Sequence, residues 1–203
     1  FNQYIKKFES IRNSFSEENP NFWPAINDWY SNLIFMDIYG GEPWLIRGLW
    51  KSLQYAVDND LAKNISLQLH TNAMTWNEEY IKLLSNFKNV RFGLSIDSHI
   101  ENEFNYIRHK SNYNVVIENC DKFIDYINKH QNMTVYISVT SSVLNIWNLP
   151  EIVDGLKNRF NIDVGYTNFV YDPKHYDIRH LPRDVKRKII KKYNNNKTKW
   201  FYI

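Results

Sequence analysis

Leu33-Ile34-Phe35-Met36-Asp37-Ile38-Tyr39-Gly40-Gly41-Glu42-Pro43-Trp44-Leu45 runs from an apolar segment into two glycines, a carboxylate and a proline. The apolar run predicts a strand over 33–39. Two glycines at its end admit positive φ and let backbone approach a ligand closely. Pro43 suits the first turn of a helix, where its missing N–H costs nothing. Leu45, Leu49, Leu53 and Val57 continue at helical spacing, so a helix is expected over 44–58. Taken by themselves, Gly40-Gly41-Glu42-Pro43 also describe an ordinary turn between a strand and a helix.

The same strand–helix step repeats downstream. Strands are expected at 65–70, 90–96, 133–140 and 162–170, and helices at 77–86, 113–130, 149–159 and 183–193. Strands separated by helices run parallel as a rule, because each crossover returns the chain to the same edge. The fold class is therefore α/β, either a β/α barrel, complete or partial, or a doubly wound sheet. Upstream, Tyr4, Ile5, Phe8, Ile11 and Phe15 predict an amphipathic helix over 2–18, and Asn21 to Tyr30 a second short one. Trp23 and Trp29 read as packing residues. Three regions are expected: a helical segment at 1–32, the β/α series at 33–171 and a basic helical tail at 172–203.

Composition narrows the class further. The chain has 203 residues, 43% apolar and 16% aromatic, which suits one domain with a sizeable core. No run of 18 apolar residues exists and no signal peptide is visible, so no membrane partner is expected and the location reads as cytoplasmic. Both ends read as cuts within a longer chain. Cys120 is the single cysteine, so neither an internal disulfide nor a multi-cysteine metal site can form within this chain. Among Val115, Val116, Ile117 and Phe123, at helical spacing, it reads as a small core residue. Asp172–Ile203 holds ten Lys/Arg against three Asp/Glu; a net charge of +3 leaves the rest at −4. That basic run reads as the solvated face of a helix, and nucleic acid is not expected as a partner.

In β/α folds ligands bind at the carboxyl ends of strands. Here each apolar run is followed by polar residues. They are Gly40-Gly41-Glu42-Pro43, His70-Thr71-Asn72-Ala73, Ser95-Ile96-Asp97-Ser98-His99, Ser138-Val139-Thr140-Ser141-Ser142 and Asn168-Phe169-Val170-Tyr171-Asp172. Any one of these could be a turn or cap, since Ser, Thr, Asn and Asp favour such positions. Five together point to a binding rim. No phosphate-binding glycine loop and no nucleophile elbow is present. His70 and His99 lack a third ligand, so no metal site is assigned. Glu42 and Asp97 could form a carboxylate pair.

The ordered set Ile38-Tyr39-Gly40-Gly41-Glu42-Pro43-Trp44-Leu45, Leu69-His70-Thr71-Asn72-Ala73, Leu94-Ser95-Ile96-Asp97 and Tyr106-Ile107-Arg108 resembles the radical S-adenosylmethionine superfamily, most closely its members with a twitch auxiliary domain. The resemblance covers about 33–170. It implies that the Gly40-Gly41 backbone and the Glu42 carboxylate hold the amino group of the methionine moiety, with Pro43 beside them at the cofactor. It implies that Thr71 and Ser95 donate hydrogen bonds to the ribose or the methionine carboxylate, with Asn72 also at the cofactor. Asp97 would support that rim, and Arg108 would pair with a carboxylate, although a surface ion pair is an equal reading for it.

Three departures stand out. Ala73 and Ser98 occupy positions that are glycine in the family pattern. The family's cysteine loop, which holds a 4Fe–4S cluster after the first barrel strand, has no counterpart here. The resemblance therefore implies an internal piece of a parent enzyme, without its first strand and inactive alone. That parent would cleave S-adenosylmethionine reductively to a 5′-deoxyadenosyl radical, with flavodoxin or ferredoxin as electron donor. Its substrate would be a small molecule or a peptide. Two alternatives remain: a cluster-less β/α binding or scaffold module, and an unrelated α/β nucleotide-binding enzyme.

Overall fold

The structure, a computed structural model, describes residues 21–195. The helix expected over 2–18 lies outside them. Five strands alternate with helices: β1 (Phe35–Ile38), β2 (Ser66–Thr71), β3 (Asn89–Ser95), β4 (Met133–Ser141) and β5 (Val164–Phe169). They form one parallel sheet in chain order, as expected of a partial β/α barrel. Helix α1 (Phe22–Asn27) precedes the sheet. The crossovers are α2 (Arg47–Asp58), α3 (Glu78–Leu84), α4 (Glu101–Ile107) with α5 (Tyr113–Ile127), and α6 (Leu149–Phe160); α7 (Arg183–Asn195) follows β5.

The chain divides into two compact units. The first comprises residues to Thr71, Thr75–Phe92 and Tyr126–Thr134; the second comprises Asn72–Met74, Gly93–Asp125 and Val135 onward.

In the first unit β1 pairs with β2 in the register Phe35 to Ser66 and Ile38 to Leu69. Leu67, Leu69 and Thr71 are buried while Ser66, Gln68 and His70 alternate to the more open face, the period-two pattern of a strand with one face in the core. Helix α2 buries Leu49, Trp50, Leu53 and Ala56, spaced three and four apart along one stripe. It begins later than expected. Pro43–Leu45 form a separate 3-10 turn, and Ile46 at ψ 89° breaks the helical path between the two. Trp29 was expected to pack, yet it is 64% exposed beside the turn that follows α1. Ile34 and Phe35 are exposed at β1, the strand at one end of the sheet.

In the second unit β4 and β5 are in register from Ile137 to Val164, with an irregularity at their carboxyl ends: Ser138 faces Gly165 and Thr140 faces Asn168. The extra residue on β5 is a bulge, which bends a strand and re-aims its side chains. Val116, Cys120 and Phe123 of α5 are buried. Burial pushes the Cys120 thiol up to about 12, so it is an inert core group, as the sequence suggests. Helix α7 buries Ile189 and Tyr193 and leaves Arg183, Arg187, Lys188 and Lys191 in solvent, the expected solvated basic face. Among the described residues no helix is long and apolar enough to cross a membrane.

Gly155 of α6 lies against the His99 ring. A Cβ added there would sit 2.5 Å from His99 Cδ2 and 2.6 Å from Cγ. Those atoms belong to the rigid base of the side chain and cannot swing aside cheaply. Gly155→Ala should therefore destabilise by about 1–3 kcal/mol, although alanine normally favours a helix by about 1 kcal/mol over glycine. Urea unfolding of Gly155→Ala and of the double variant with His99→Ala checks this. The second change should recover most of the loss.

Candidate functional site

The turn after β1 takes the form its glycines suggest. Gly40 has φ +88° and Gly41 φ +54°, and neither has any atom within 4 Å of an added Cβ. Glycine is needed here for backbone conformation rather than for space. Glu42 then caps the 3-10 turn, its Oε1 lying 3.5 Å from the Trp44 N–H. The same oxygen accepts a 2.7 Å hydrogen bond from the Thr71 hydroxyl at the end of β2. The Trp50 indole N–H donates to the Pro43 carbonyl at 2.9 Å and so ties the turn to α2. Trp44, Trp50 and Tyr80 stack, with ring centroids 4.0–6.1 Å apart.

On the open face of the same two strands, the Gln68 amide donates to Asp37 Oδ2 at 3.2 Å and its Nε2 lies 3.3 Å from His70 Nε2. The His70 ring stacks on Tyr39 at 4.7 Å. Burial lowers the His70 pKa; Asp37 acts against that shift and Arg91 adds to it. Among the described residues no group of three His, Cys, Asp or Glu could hold a metal ion.

The second unit carries the remaining residues. Asn72 Oδ1 accepts the Met74 N–H at 2.9 Å, closing a side-chain turn. Ala73 sits at φ +55°, where a Cβ costs about 1–2 kcal/mol. Its carbonyl is held by the Asn119 amide at 2.9 Å. Glycine would be the unstrained choice at this φ. Ser95 ends β3, half-buried. Ser98 is buried; its hydroxyl donates to Glu103 at 2.6 Å and accepts the Ile100 N–H at 3.1 Å. It shapes the entry to α4.

Asp97 is the centre of this unit's rim. Its Oδ1 accepts the Thr140 N–H at 2.8 Å, and its Oδ2 lies 2.9 Å from Arg108 Nε. The Arg108 Nε–H has no well-aligned hydrogen-bond acceptor, so this contact is an ion pair rather than a directed bond. The side chains are 8% and 21% exposed, so it is not the surface pair that the sequence left open. Asn145, which the sequence reading did not single out, completes the rim. It is buried, accepts the Ser142 N–H at 2.8 Å, and donates to the carbonyls of Thr140 at 3.0 Å and Asp97 at 3.3 Å. Its signal was its place just after the polar end of β4. Asn168 Nδ2 donates to the Ser138 hydroxyl at 3.1 Å across the bulge. Beside Asp97 and Arg108 opens a cavity of about 700 Å³, also lined by Tyr106, Thr140, Ser142 and Tyr176. That volume suits a drug-sized ligand, and its wall carries the Asp97–Arg108 pair with Thr140 and Ser142.

No protein-family profile and no curated protein matches the sequence. Solved structures do share its fold. Streptococcus suis SuiB bound to S-adenosylmethionine superposes with a TM-score of 0.59 at 15% identity, over 86% of this chain and 39% of that one. Native anSMEcpe with bound AdoMet gives 0.61 at 18% identity, over 88% and 50%. SuiB bound to its precursor peptide SuiA gives 0.59 at 15% identity, over 86% and 38%. anSMEcpe with AdoMet and the Cp18Cys peptide gives 0.56 at 18% identity, over 80% and 46%. These neighbours were solved with S-adenosylmethionine or a peptide bound, and the likeness at such identity establishes a common fold. The chain spans half or less of the length of each.

Two measurements probe the site directly. A double-mutant cycle with Asp97→Ala and Arg108→Ala, read by urea unfolding, should give a coupling energy of about 1–3 kcal/mol, above the range of exposed pairs. A coupling near zero would reduce the contact to proximity. For His70, the folded state disfavours the imidazolium, so the unfolded chain binds more protons near the ordinary value of 6.5. Its contribution is complete above that pH and is lost as pH falls through the lowered folded value. His70→Gln should flatten the stability–pH curve just below 6.5, measured by unfolding at stepped pH.

Proposed function

We propose that the chain is the core of a radical S-adenosylmethionine enzyme working in the cytoplasm. The observation that carries this reading is the ordered set of motifs at successive strand ends, on a fold shared with proteins solved with that cofactor. The residues suit its methionine moiety. An ammonium needs acceptors, and Glu42 offers a half-buried carboxylate beside the glycine backbone of the turn. Gly40 and Gly41 leave that backbone open to a ligand, and Pro43 starts the turn that positions Glu42. Thr71 orients the carboxylate. In the second unit Ser95 and the turn at Asn72 serve the ribose or the carboxylate, Arg108 pairs with the carboxylate, and Asp97 positions Arg108. The cofactor, when bound and reductively cleaved, supplies a 5′-deoxyadenosyl radical that abstracts hydrogen from a substrate.

The chain's residues do not fit an iron–sulfur cluster. Its single cysteine is buried in α5 and held as a thiol. We place the cluster loop, with the first strand, upstream of Phe1 in the parent enzyme, and a twitch domain downstream; the 203 residues alone would be inactive. A peptide substrate is favoured by the peptides bound in the SuiB and anSMEcpe complexes. A flavodoxin or ferredoxin would supply the electron. The buried cysteine also supports a second reading, a cluster-less binding module of the same ancestry. Three cysteines at the family spacing in the upstream coding sequence would exclude it.

Glu42→Gln tests the assignment. Losing one charge-assisted hydrogen bond to a desolvated ammonium costs roughly 1.5–3 kcal/mol, so affinity for S-adenosylmethionine should fall by about ten- to a hundredfold. The measurement is equilibrium binding to the enzyme carrying its upstream cysteines, beside its iron content, which should not change. Unaltered affinity would leave Glu42 a turn cap only.

A further inference from the structure

In the second unit, the carboxyl end of β5 and the early turns of α7 flank a groove of about 460 Å³ that plays no part in the rim just described. Phe169, Ile178 and Ile190 line it with apolar surface, and Tyr171, Arg179 and Lys186 stand around it. Ile190 is 43% exposed although its neighbour Ile189 is buried in the core.

The one carboxylate in the groove is already spent. Asp177 is 1% exposed and accepts the Arg179 backbone N–H at 2.8 Å, Arg179 Nε at 2.8 Å and Arg179 Nη2 at 2.6 Å. His180 Nδ1 lies 3.5 Å away. The guanidinium beside Asp177 holds its carboxyl down to about 2. Fixed in this way, the Arg179 side chain is still 63% exposed and keeps Nη1 as a donor. Lys186 Nζ donates to the Arg179 carbonyl at 2.7 Å, which uses one of the three N–H bonds of an ammonium. Two cations are therefore held beside an apolar trough with donors to spare.

We propose that this groove binds an acidic peptide segment, seating one apolar side chain on Phe169, Ile178 and Ile190 and placing a neighbouring Asp or Glu carboxylate on Lys186 and Arg179. Charge complementarity supports this occupant, since Arg183, Arg187, Lys188 and Lys191 extend the positive field along α7. A nucleic acid is a poorer fit. Its bases would want the face of Tyr171, and the Arg179 guanidinium already covers that ring at 4.9 Å. A lipid surface is poorer still, because α7 turns Ile189 and Tyr193 into the core and offers no continuous apolar face.

Fluorescence anisotropy with a labelled Gly-Leu-Glu-Glu-Leu-Gly peptide tests the proposal, without S-adenosylmethionine, so the outcome is independent of the cofactor reading. The peptide should bind saturably, weaken with added salt, and lose about tenfold or more when its glutamates become lysines. Lys186→Glu should weaken binding by about tenfold and Ile190→Ser by a smaller, measurable factor, with circular dichroism and melting unchanged. Equal affinity for the two peptides, binding untouched by both substitutions, or tighter binding of an oligothymidylate would each overturn it. So would self-association through Ile190 that the acidic peptide fails to displace.

Discussion

The hydrogen bond from the Thr140 N–H to the Asp97 carboxylate is the contact on which the second unit's rim depends. Where strands end, backbone groups lose their ladder partners, and buried ones must be satisfied by side chains. Asp97 supplies the acceptor for one such N–H. Asn145 supplies donors for two carbonyls and an acceptor for the Ser142 N–H. A carboxylate buried for this purpose needs a counter-charge, and Arg108 provides it. Structural necessity thus brings a guanidinium to the wall of a cavity of about 700 Å³. The first unit solves the same problem with different groups. There Glu42 takes a backbone N–H and the Thr71 hydroxyl together. In each unit the residue that satisfies the backbone also sets the charge at the strand's end.

Much of this was legible in the sequence because its signals are local. Two glycines after an apolar run forecast a turn with positive φ, and both adopt it. Each expected strand forms within two residues at either end, because its apolar run is bounded by polar turn residues. Helix α4 was not foreseen. It is seven residues long and buries only Phe104, too little for a helical period to show. Helix α5 stops at Ile127, three residues short of expectation; the next two residues form a turn in which the Lys129 N–H bonds the Tyr126 carbonyl.

The site was readable by residue type but not by geometry. Asp97 and Arg108 were both singled out, yet their spacing did not say whether they meet. Asn145 went unnoticed because asparagine after a strand usually means a solvent-facing turn, whereas here every polar atom of its side chain is spent inside. The cations of the β5–α7 groove were equally hidden. A basic run reads as a solvated face, and Arg179 becomes a fixed group only through a buried aspartate two residues earlier.

Trp44, Trp50 and Tyr80 lie nearly parallel, with interplanar angles of 8–14°. Rings so close and so aligned couple their electronic transitions. Trp50 also grips the Pro43 carbonyl, so a shift of the glycine turn tilts one ring against another. The protein thereby carries a built-in optical reporter. The near-ultraviolet circular dichroism of this stack should register the posture of the turn without any label.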